Sequence, residues 1–549
     1  MLILTLTLLG ILVLGLVAEQ SGRTPDATDG RLVRMLASRG VVVAVFLVTF
    51  LLLWYSWAAV NPIPVVHDEM AYVLQAEIFA RGKWALPSPP IPLFWEQPHI
   101  LTEPKLAAKY FPGHALALAP GAFLGWPALI PLVLQSVSAS LLFVLARRIA
   151  SGGVAFMAWI IWLFSPIVLY FGPTYFSEAT TTACWLAGWY ALLEWRESRR
   201  LGWLAAVAFF TGWDVITRPL TGVAYAIPMA AVILWDVVQQ RRWRDFAVAL
   251  AVGSAVMAIL PLWSARTTGN WSLTPLTLYT RLYMPYDVPG FGVVSTPPAH
   301  SVTPDLYQLN NAYRSPHVTH FPSTLLKTLS DRTLYLSVSV WGTTAGALSV
   351  FALLGLRTLG GPATFALVSA LCLLASYLLY ATPAQWTLYY YESVPVYAYL
   401  SAAGLAWAAS LIRRPRGAPR SPRFTWRSTR WSTALLAAAV IFVLPGFLSL
   451  QLLHAQHISD RRYLAPFHRL LGSIHDARAV VFVRYSRAHN SHVTFVRNTA
   501  NPDSERIWVV YDRGDAENSR LLSLAPGRKS YLFDESQRRI YLYDPVARP

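Results

Sequence analysis

The stretch PVVHDEMAYVLQAEIFARGKW (Pro64 to Trp84) decides how the sequence is interpreted, because it sets two adjacent carboxylates, Asp68 and Glu69, directly after a long apolar run. The chain around it is 55% apolar and only 13% charged, so acids are scarce. The prolines before the pair end the apolar run, and a new helix is predicted to begin near His67 or Asp68. In that helix Asp68 and Glu69 would point about 100° apart, so the two alone would not form one clamp.

The apolar residues occur in blocks long enough to cross a membrane. The mean hydropathy is positive over 549 residues, and a helix that spans a hydrocarbon core of roughly 30 Å needs about 20 apolar residues. We therefore expect an all-α polytopic membrane protein of about 12 transmembrane helices. The predicted spans lie near 1–18, 40–60, 127–147, 151–171, 176–195, 202–217, 219–237, 246–263, 334–355, 361–381, 393–412 and 433–453.

The formal net charge of +17 is distributed between the predicted spans rather than gathered on one soluble face. Basic clusters such as ARRIAS, WRESRR and QQRRWRDF, and the loop 413–432, fall in alternate connections, which the positive-inside rule assigns to the cytoplasm. The remaining connections, above all 61–126 and 264–333, are then outside, and no nucleic-acid partner is expected. We expect a multi-pass protein of the bacterial cytoplasmic (inner) membrane whose acidic pair faces outward.

From about Gln456 the hydropathy falls and the pattern changes. AVVFVRY, RIWVVYD, SYLFDE and IYLYD have the composition of short strands, and YLAPFHRLLGSIHD and SRLLSLAPG that of helices. The predicted organisation is a transmembrane domain over 1–455 and a small extracytoplasmic α/β domain over 456–549. Cys184 and Cys372 both fall inside predicted spans, so no disulfide framework is expected. The first apolar run lacks the basic start and cleavage site of a signal peptide, so a retained helix is expected there.

The acidic pair has two interpretations from the residues alone. An acid in the first turn of a helix stabilises the positive end of the helix dipole, which is a purely structural role. A carboxylate on a helix at the outer membrane surface, directly after a span, is also well placed to meet a lipid-linked headgroup.

The sequence HDEMAYVLQAEIFARGKW, followed by HILTEPKLAAKYFPGHALALAPGAFLG (His99 to Gly125), resembles the first outer loop of the type C (GT-C) glycosyltransferases. That superfamily includes the family 39 protein O-mannosyltransferases and the lipid A aminoarabinose transferases. The similarity extends to the acid of PTYFSEATT, the TRP at Arg218, the RTTGNW run and YYYESVPVYAYL. One departure is Leu388, which stands where the family usually has an arginine that contacts phosphate.

The resemblance implies a GT-C-like fold and a polyprenyl-phosphate sugar as donor. It implies that Asp68 is the base for the acceptor, with Glu69 beside it, and that Glu178 is a second acid that orients the acceptor or holds a divalent cation. The candidate phosphate-binding cations are Lys105, Lys109, Arg218 and Arg266. Ordinary anchoring at the membrane interface is the alternative role of each cation.

Cofactor and metal requirements stay open at this stage. His67, His99 and His114, with Glu96 or Glu103, are candidates for a divalent-cation site, but only by residue type. The resemblance implies a hexosyl- or pentosyltransferase that takes its sugar from a polyprenyl phosphate on the outer face, with membrane lipid and an unidentified acceptor as its other partners. A transporter or lipid-handling protein without chemistry is the main alternative, and a structural subunit that docks through its tail is another.

Overall fold

The computed structural model describes residues 36, 38–58, 63–293, 296–300, 303–342, 345–411, 434, 437–490 and 493–544. The predicted span 1–18 and the basic loop 413–432 lie outside the described residues. Within the described part, the helices are α1 (Arg39–Leu53), α2 (His67–Ala80), α3 (Pro112–Phe123), α4 (Leu129–Ile149), α5 (Gly152–Leu163), α6 (Pro166–Phe171), α7 (Glu178–Ser198), α8 (Leu201–Thr217), α9 (Pro219–Gln240), α10 (Trp243–Met257), α11 (Ile259–Thr268), α12 (Pro275–Leu282), α13 (Pro304–His317), α14 (Leu325–Trp341), α15 (Ala345–Gly355), α16 (Gly361–Ser376), α17 (Val394–Leu411), α18 (Leu444–Gly472) and α19 (Asp515–Ser523).

The bundle of helices has one continuous apolar interior, in which large side chains such as Trp162, Trp185 and Trp195 are fully buried. Six stretches in the described part are long and apolar enough to cross a membrane. They are Arg39–Trp57, Leu129–Ile149, Pro219–Gln240, Trp243–Thr268, Gly361–Leu379 and Ala439–Gln456. The predicted total of about 12 spans is therefore not confirmed, although a polytopic helical fold is.

Two of the predicted spans that are divided into two helices break at a proline or a glycine. The segment predicted at 151–171 breaks between α5 and α6, where Ser165 precedes Pro166 and the proline ring cannot continue the hydrogen-bond pattern of α5. The segment predicted at 334–355 breaks at Gly342, whose φ of 72° lies in the left-handed region. Hydropathy does not register either break, because the residues on both sides remain apolar.

Residues 63–126, the described part of the segment predicted to lie outside, are folded rather than extended. Helix α2 begins at His67, as the sequence predicted, and a small antiparallel sheet follows with the order β1 (Leu86–Pro87), β3 (Lys105–Ala108), β2 (Ile100–Leu101). Helix α3 then begins at Pro112, and Gly113 lets it approach the end of α8 closely. A Cβ atom on Gly113 would collide with the Thr217 hydroxyl group and lie 2.9 Å from the Thr217 backbone nitrogen.

The C-terminal residues form the small α/β domain that the sequence predicted. Its sheet has the order β5 (Ile507–Tyr511), β4 (Ala479–Arg484), β6 (Lys529–Asp534), β7 (Arg539–Leu542), with β4 parallel to both neighbours and β7 antiparallel to β6. The predicted boundary at 455/456 falls inside α18, which continues without interruption from the membrane part into this domain.

Candidate active site

Asp68 lies in the first turn of α2 and faces a cavity. Its side chain is 34% exposed, whereas Glu69 beside it is buried. One carboxylate oxygen of Asp68 accepts a hydrogen bond from the Tyr110 hydroxyl group. The other oxygen lies 3.7 Å from Nε2 of His99. Asp68 is therefore an accessible carboxylate held between a phenol and an imidazole.

Glu69 makes structural contacts with the backbone. Its carboxylate accepts hydrogen bonds from the backbone N–H groups of Val65 (3.0 Å), Val66 (3.3 Å) and Tyr175 (3.1 Å). Burial raises the pKa of Glu69 to about 7, and these hydrogen bonds partly oppose that shift. Glu69 thus joins the start of α2 to the outer turn before α7, and this joint fixes the direction of Asp68.

Lys109 lies behind Tyr110 in a buried ion pair. Its Nζ is 2.6 Å from Oδ2 of Asp287, and it lies 5.2 Å from the ring centroids of both Tyr110 and Tyr279. The Tyr380 hydroxyl group also donates to Asp287. The cation is therefore held in one position by a carboxylate and by aromatic faces.

Glu178 and Arg218 form a second pair on neighbouring helix ends. Glu178 is the first residue of α7, and Arg218 lies between α8 and α9. The two side chains form an ion pair, and Arg218 also donates to the Tyr377 hydroxyl group at 3.2 Å. The guanidinium group lies 5.3 Å from the ring centroid of Tyr389.

The cavity at Asp68 has a volume of about 450 Å³. Its wall is mainly aromatic and apolar, and its titratable members, apart from tyrosines, are His67, Asp68, Glu69 and His99. Leu388, at the position of the usual family arginine, is part of the apolar wall. The lining residues are Trp57, Val65, Val66, His67, Asp68, Glu69, His99, Tyr170, Phe171, Thr174, Phe176, Leu309, Tyr313, Gln385, Trp386, Thr387, Leu388 and Tyr389.

Both buried cations contact this wall from behind. Lys109 lies 6.0 Å from the ring centroid of Tyr313, and Arg218 stacks on Tyr389, and both tyrosines line the cavity. The other two predicted cations lie elsewhere. Lys105 and Arg266 are exposed and outside the cavity lining, and Nζ of Lys105 donates to the Arg266 carbonyl oxygen at 2.7 Å.

His67 and His99 lie at the same cavity, but His114 and Glu96, also suggested for a metal site, have other partners. His114 has its ring nitrogens 2.8 Å from the Thr180 hydroxyl group and 2.8 Å from the Tyr175 carbonyl oxygen, and Glu96 pairs with Arg513. Among the described residues, no group of three or more His, Cys, Asp or Glu side chains is arranged to hold a metal ion. The predicted donor set is therefore not assembled into a metal site in this part of the chain.

Sequence reasoning missed several members of the site. Tyr110, Asp287, Tyr313 and Tyr389 come from four separate segments of the chain, and the runs around Asp287 and Tyr389 also have the composition of a membrane-interface belt. The acid in YMPYDVPGFG was the one available signal, since Asp287 is the only charged residue in that run.

Comparisons with known proteins agree with this architecture. Residues 108–264 match the family model described as dolichyl-phosphate-mannose-protein mannosyltransferase, a range that includes Lys109, Glu178 and Arg218 but not Asp68. No curated protein matches the chain.

Solved structures resemble the chain over most of its length. A crystal structure of ArnT from Cupriavidus metallidurans bound to undecaprenyl phosphate has a TM-score of 0.53 at 14% identity, over 90% of this chain and 93% of that chain. The same protein in the apo state gives a TM-score of 0.51 at 14% identity with the same coverage. The oligosaccharyltransferase of Archaeoglobus fulgidus in the apo form gives a TM-score of 0.47 at 12% identity, over 90% of this chain and 69% of that chain. The chain thus has the fold of GT-C membrane glycosyltransferases, and the resemblance inferred from its outer loop is confirmed.

Proposed function

We propose that the protein is a glycosyltransferase that moves a sugar from a polyprenyl-phosphate donor to an acceptor on the outer face of a bacterial inner membrane. The observation that carries the proposal is the accessible carboxylate of Asp68 in an aromatic-walled cavity of about 450 Å³. Aromatic and apolar walls suit sugar faces and a prenyl chain, and a carboxylate at the edge suits proton removal. The GT-C fold and the ligand of the ArnT crystal structure, undecaprenyl phosphate, support the donor class.

In the proposed step the acceptor hydroxyl group gives its proton to Asp68 while its oxygen attacks the anomeric carbon. The bond from that carbon to the phosphate oxygen breaks, and polyprenyl phosphate leaves with the electron pair. Lys109 and Arg218 stabilise the departing phosphate, because their ion pairs hold both cations in place before the reaction. Glu178 orients Arg218, and Glu69 fixes the start of α2. None of the four predicted cations lines the cavity, but Lys109 and Arg218 lie over the rings of the lining tyrosines Tyr313 and Tyr389. Lys105 and Arg266 are exposed and have no such contact among the described residues, so we assign them no phosphate contact.

The test is Asp68→Asn in the purified full chain, assayed in liposomes with a panel of radiolabelled undecaprenyl-phosphate hexoses and pentoses and a membrane extract as acceptor source. If Asp68 is the base, turnover falls by roughly 10²–10⁴-fold, because asparagine keeps the shape but cannot take the proton. If Asp68 only caps the helix, the change is nearly silent, since asparagine caps about as well.

Two controls make the result specific. Asp331→Asn changes an exposed acid on α14 that pairs with Lys327, outside the cavity lining, and should leave turnover within about twofold of the parent. Binding of undecaprenyl phosphate should also stay within about twofold in Asp68→Asn, because Asp68 acts on the acceptor. Turnover of Asp68→Asn within about twofold of the parent would reject the proposed base.

A further inference from the structure

The segment that ends at His99 has an unusual backbone. His99 has a φ of 68°, which places a residue other than glycine in the left-handed region. Its backbone N–H donates to the Tyr279 hydroxyl group at 2.8 Å, and its carbonyl oxygen accepts from the Lys109 N–H at 2.9 Å. Such a conformation persists only where its surroundings hold it, and it is commonest at functional sites.

The side chain of His99 is directed by this backbone onto Asp68. The imidazole is buried, with Nε2 3.7 Å from the carboxylate oxygen that Tyr110 leaves open. Its ring also packs against Tyr110, with centroids 5.4 Å apart, and edge-on to His67 at 6.3 Å. Tyr110 and His99 therefore contact the two oxygens of Asp68 from different sides.

The C-terminal domain holds the residues that lead into His99. Nδ2 of Asn498 donates to the Trp95 carbonyl oxygen at 2.8 Å and to Oε1 of Gln97 at 3.2 Å. Arg513 donates to the Leu93 carbonyl oxygen at 3.0 Å. Phe94 and Trp95 are themselves part of an apolar cluster with strands β4, β5 and β6.

We infer that His99 is a positioning residue for Asp68 and that the C-terminal domain, through Asn498, holds it there. The inference rests on the proposed function, in which Asp68 is the base. Tyr110 and His99 together keep the carboxylate turned into the cavity, and the domain supplies the rigid support for His99 from outside the membrane. If the carboxylate is displaced by a fraction of an ångström or turned away, the rate of the chemical step falls while binding of the donor is unchanged.

The test is a double-mutant cycle in the full chain, with the liposome assay and the undecaprenyl-phosphate donors described above. His99→Gln keeps a polar side chain of similar size, and Asn498→Leu keeps the shape but removes both donated hydrogen bonds. Each is expected to lower kcat by about tenfold while KM for the donor stays within about twofold. Both substitutions act through the same contact. The kcat of the double variant is therefore expected to be no more than about twofold below that of the less active single variant.

Controls separate positioning from loss of folding. Asn501→Ala, an exposed neighbour in the same loop, should leave kcat and KM unchanged. If Asn498→Leu fails to give a monodisperse peak on gel filtration, Arg513→Met takes its place in the cycle. It removes the hydrogen bond to Leu93, together with the 3.5 Å ion pair to Glu96, from a side chain that is only partly buried.

Three outcomes overturn the inference: an unchanged kcat in His99→Gln, a rise in KM alone, or multiplicative losses of about 100-fold in the double variant. These outcomes are distinct from failure of the proposed function. A silent Asp68→Asn rejects the base itself, whereas an inactive Asp68→Asn with a fully active His99→Gln rejects only the positioning role.

Discussion

Asp68 and Glu69 are adjacent in the chain, yet their carboxylates have different surroundings. The turn of about 100° between neighbouring helix positions directs Asp68 to the cavity and Glu69 to three backbone N–H groups. Burial raises the pKa of Glu69 from its ordinary value of 4.5 to about 7. The folded state therefore binds this proton more tightly than the unfolded state, so the group stabilises the fold fully below pH about 4.5 and loses that contribution as the pH rises toward 7.

The prediction at this scale is that Glu69→Gln flattens the pH dependence of stability. Between pH 5 and 7 the melting temperature of the parent should fall more than that of the variant, because glutamine does not titrate. The variant should also be less stable at pH 5, by about 1–3 kcal/mol, since an amide cannot accept all three hydrogen bonds. Thermal unfolding followed by tryptophan fluorescence at pH 5, 6 and 7 measures both effects, and equal slopes for the two proteins would contradict the assignment.

At the scale of elements, the contact between α3 and the end of α8 joins two motifs that are about a hundred residues apart in sequence. Gly113 belongs to KYFPG and Thr217 precedes the arginine of TRP, so the glycine sets the position of Arg218. Gly113→Ala should force these helices apart, which lowers stability by about 1–3 kcal/mol and weakens binding of undecaprenyl phosphate as Arg218 moves. Removing the colliding hydroxyl group with Thr217→Ala should restore part of both losses.

The matched control is Gly202→Ala in α8, where an added Cβ meets nothing within 4 Å. Full donor binding in Gly113→Ala would mean that the contact does not position Arg218.

The sequence could predict the existence of α2 and of the helices around Arg218, because caps and hydropathy are local signals. It could not predict that Gly113 meets Thr217, since no local pattern records which helices touch.

At the scale of the whole molecule, local sequence patterns again do not record which distant residues meet. This explains which candidate site residues the sequence suggested and which it missed. Asp68, Lys109, Glu178 and Arg218 became candidates, together with Glu69, Lys105 and Arg266, because they are charged residues in an apolar chain and fall in the motifs of the family resemblance. Their partners Tyr110 and Tyr389 were not, because tyrosines resemble interfacial residues until the fold places them at the site. Asp287 was missed although it is the only charged residue of its run. Nor did the tail show a link to the site, since Asn498 is an ordinary polar residue in its own segment.

The hydrophobic core of the C-terminal domain includes side chains from outside the domain, and this predicts how the isolated domain behaves. Phe94 and Trp95, which lie between α2 and α3, are buried against Val480 and Phe482 of the domain sheet, so a fragment that begins near Asp460 lacks part of its own core. A domain this small has little apolar burial to spare, and we expect the fragment to be soluble but only marginally stable.

A synthetic peptide of residues 90–98 should bind the folded fragment and raise its melting temperature in a concentration-dependent manner. The same peptide with both aromatic residues replaced by alanine is the control and should have no effect. Calorimetric unfolding of the fragment with each peptide gives the result, and a fragment that is already fully stable and indifferent to the native peptide would show that the domain does not need the outer segment to fold.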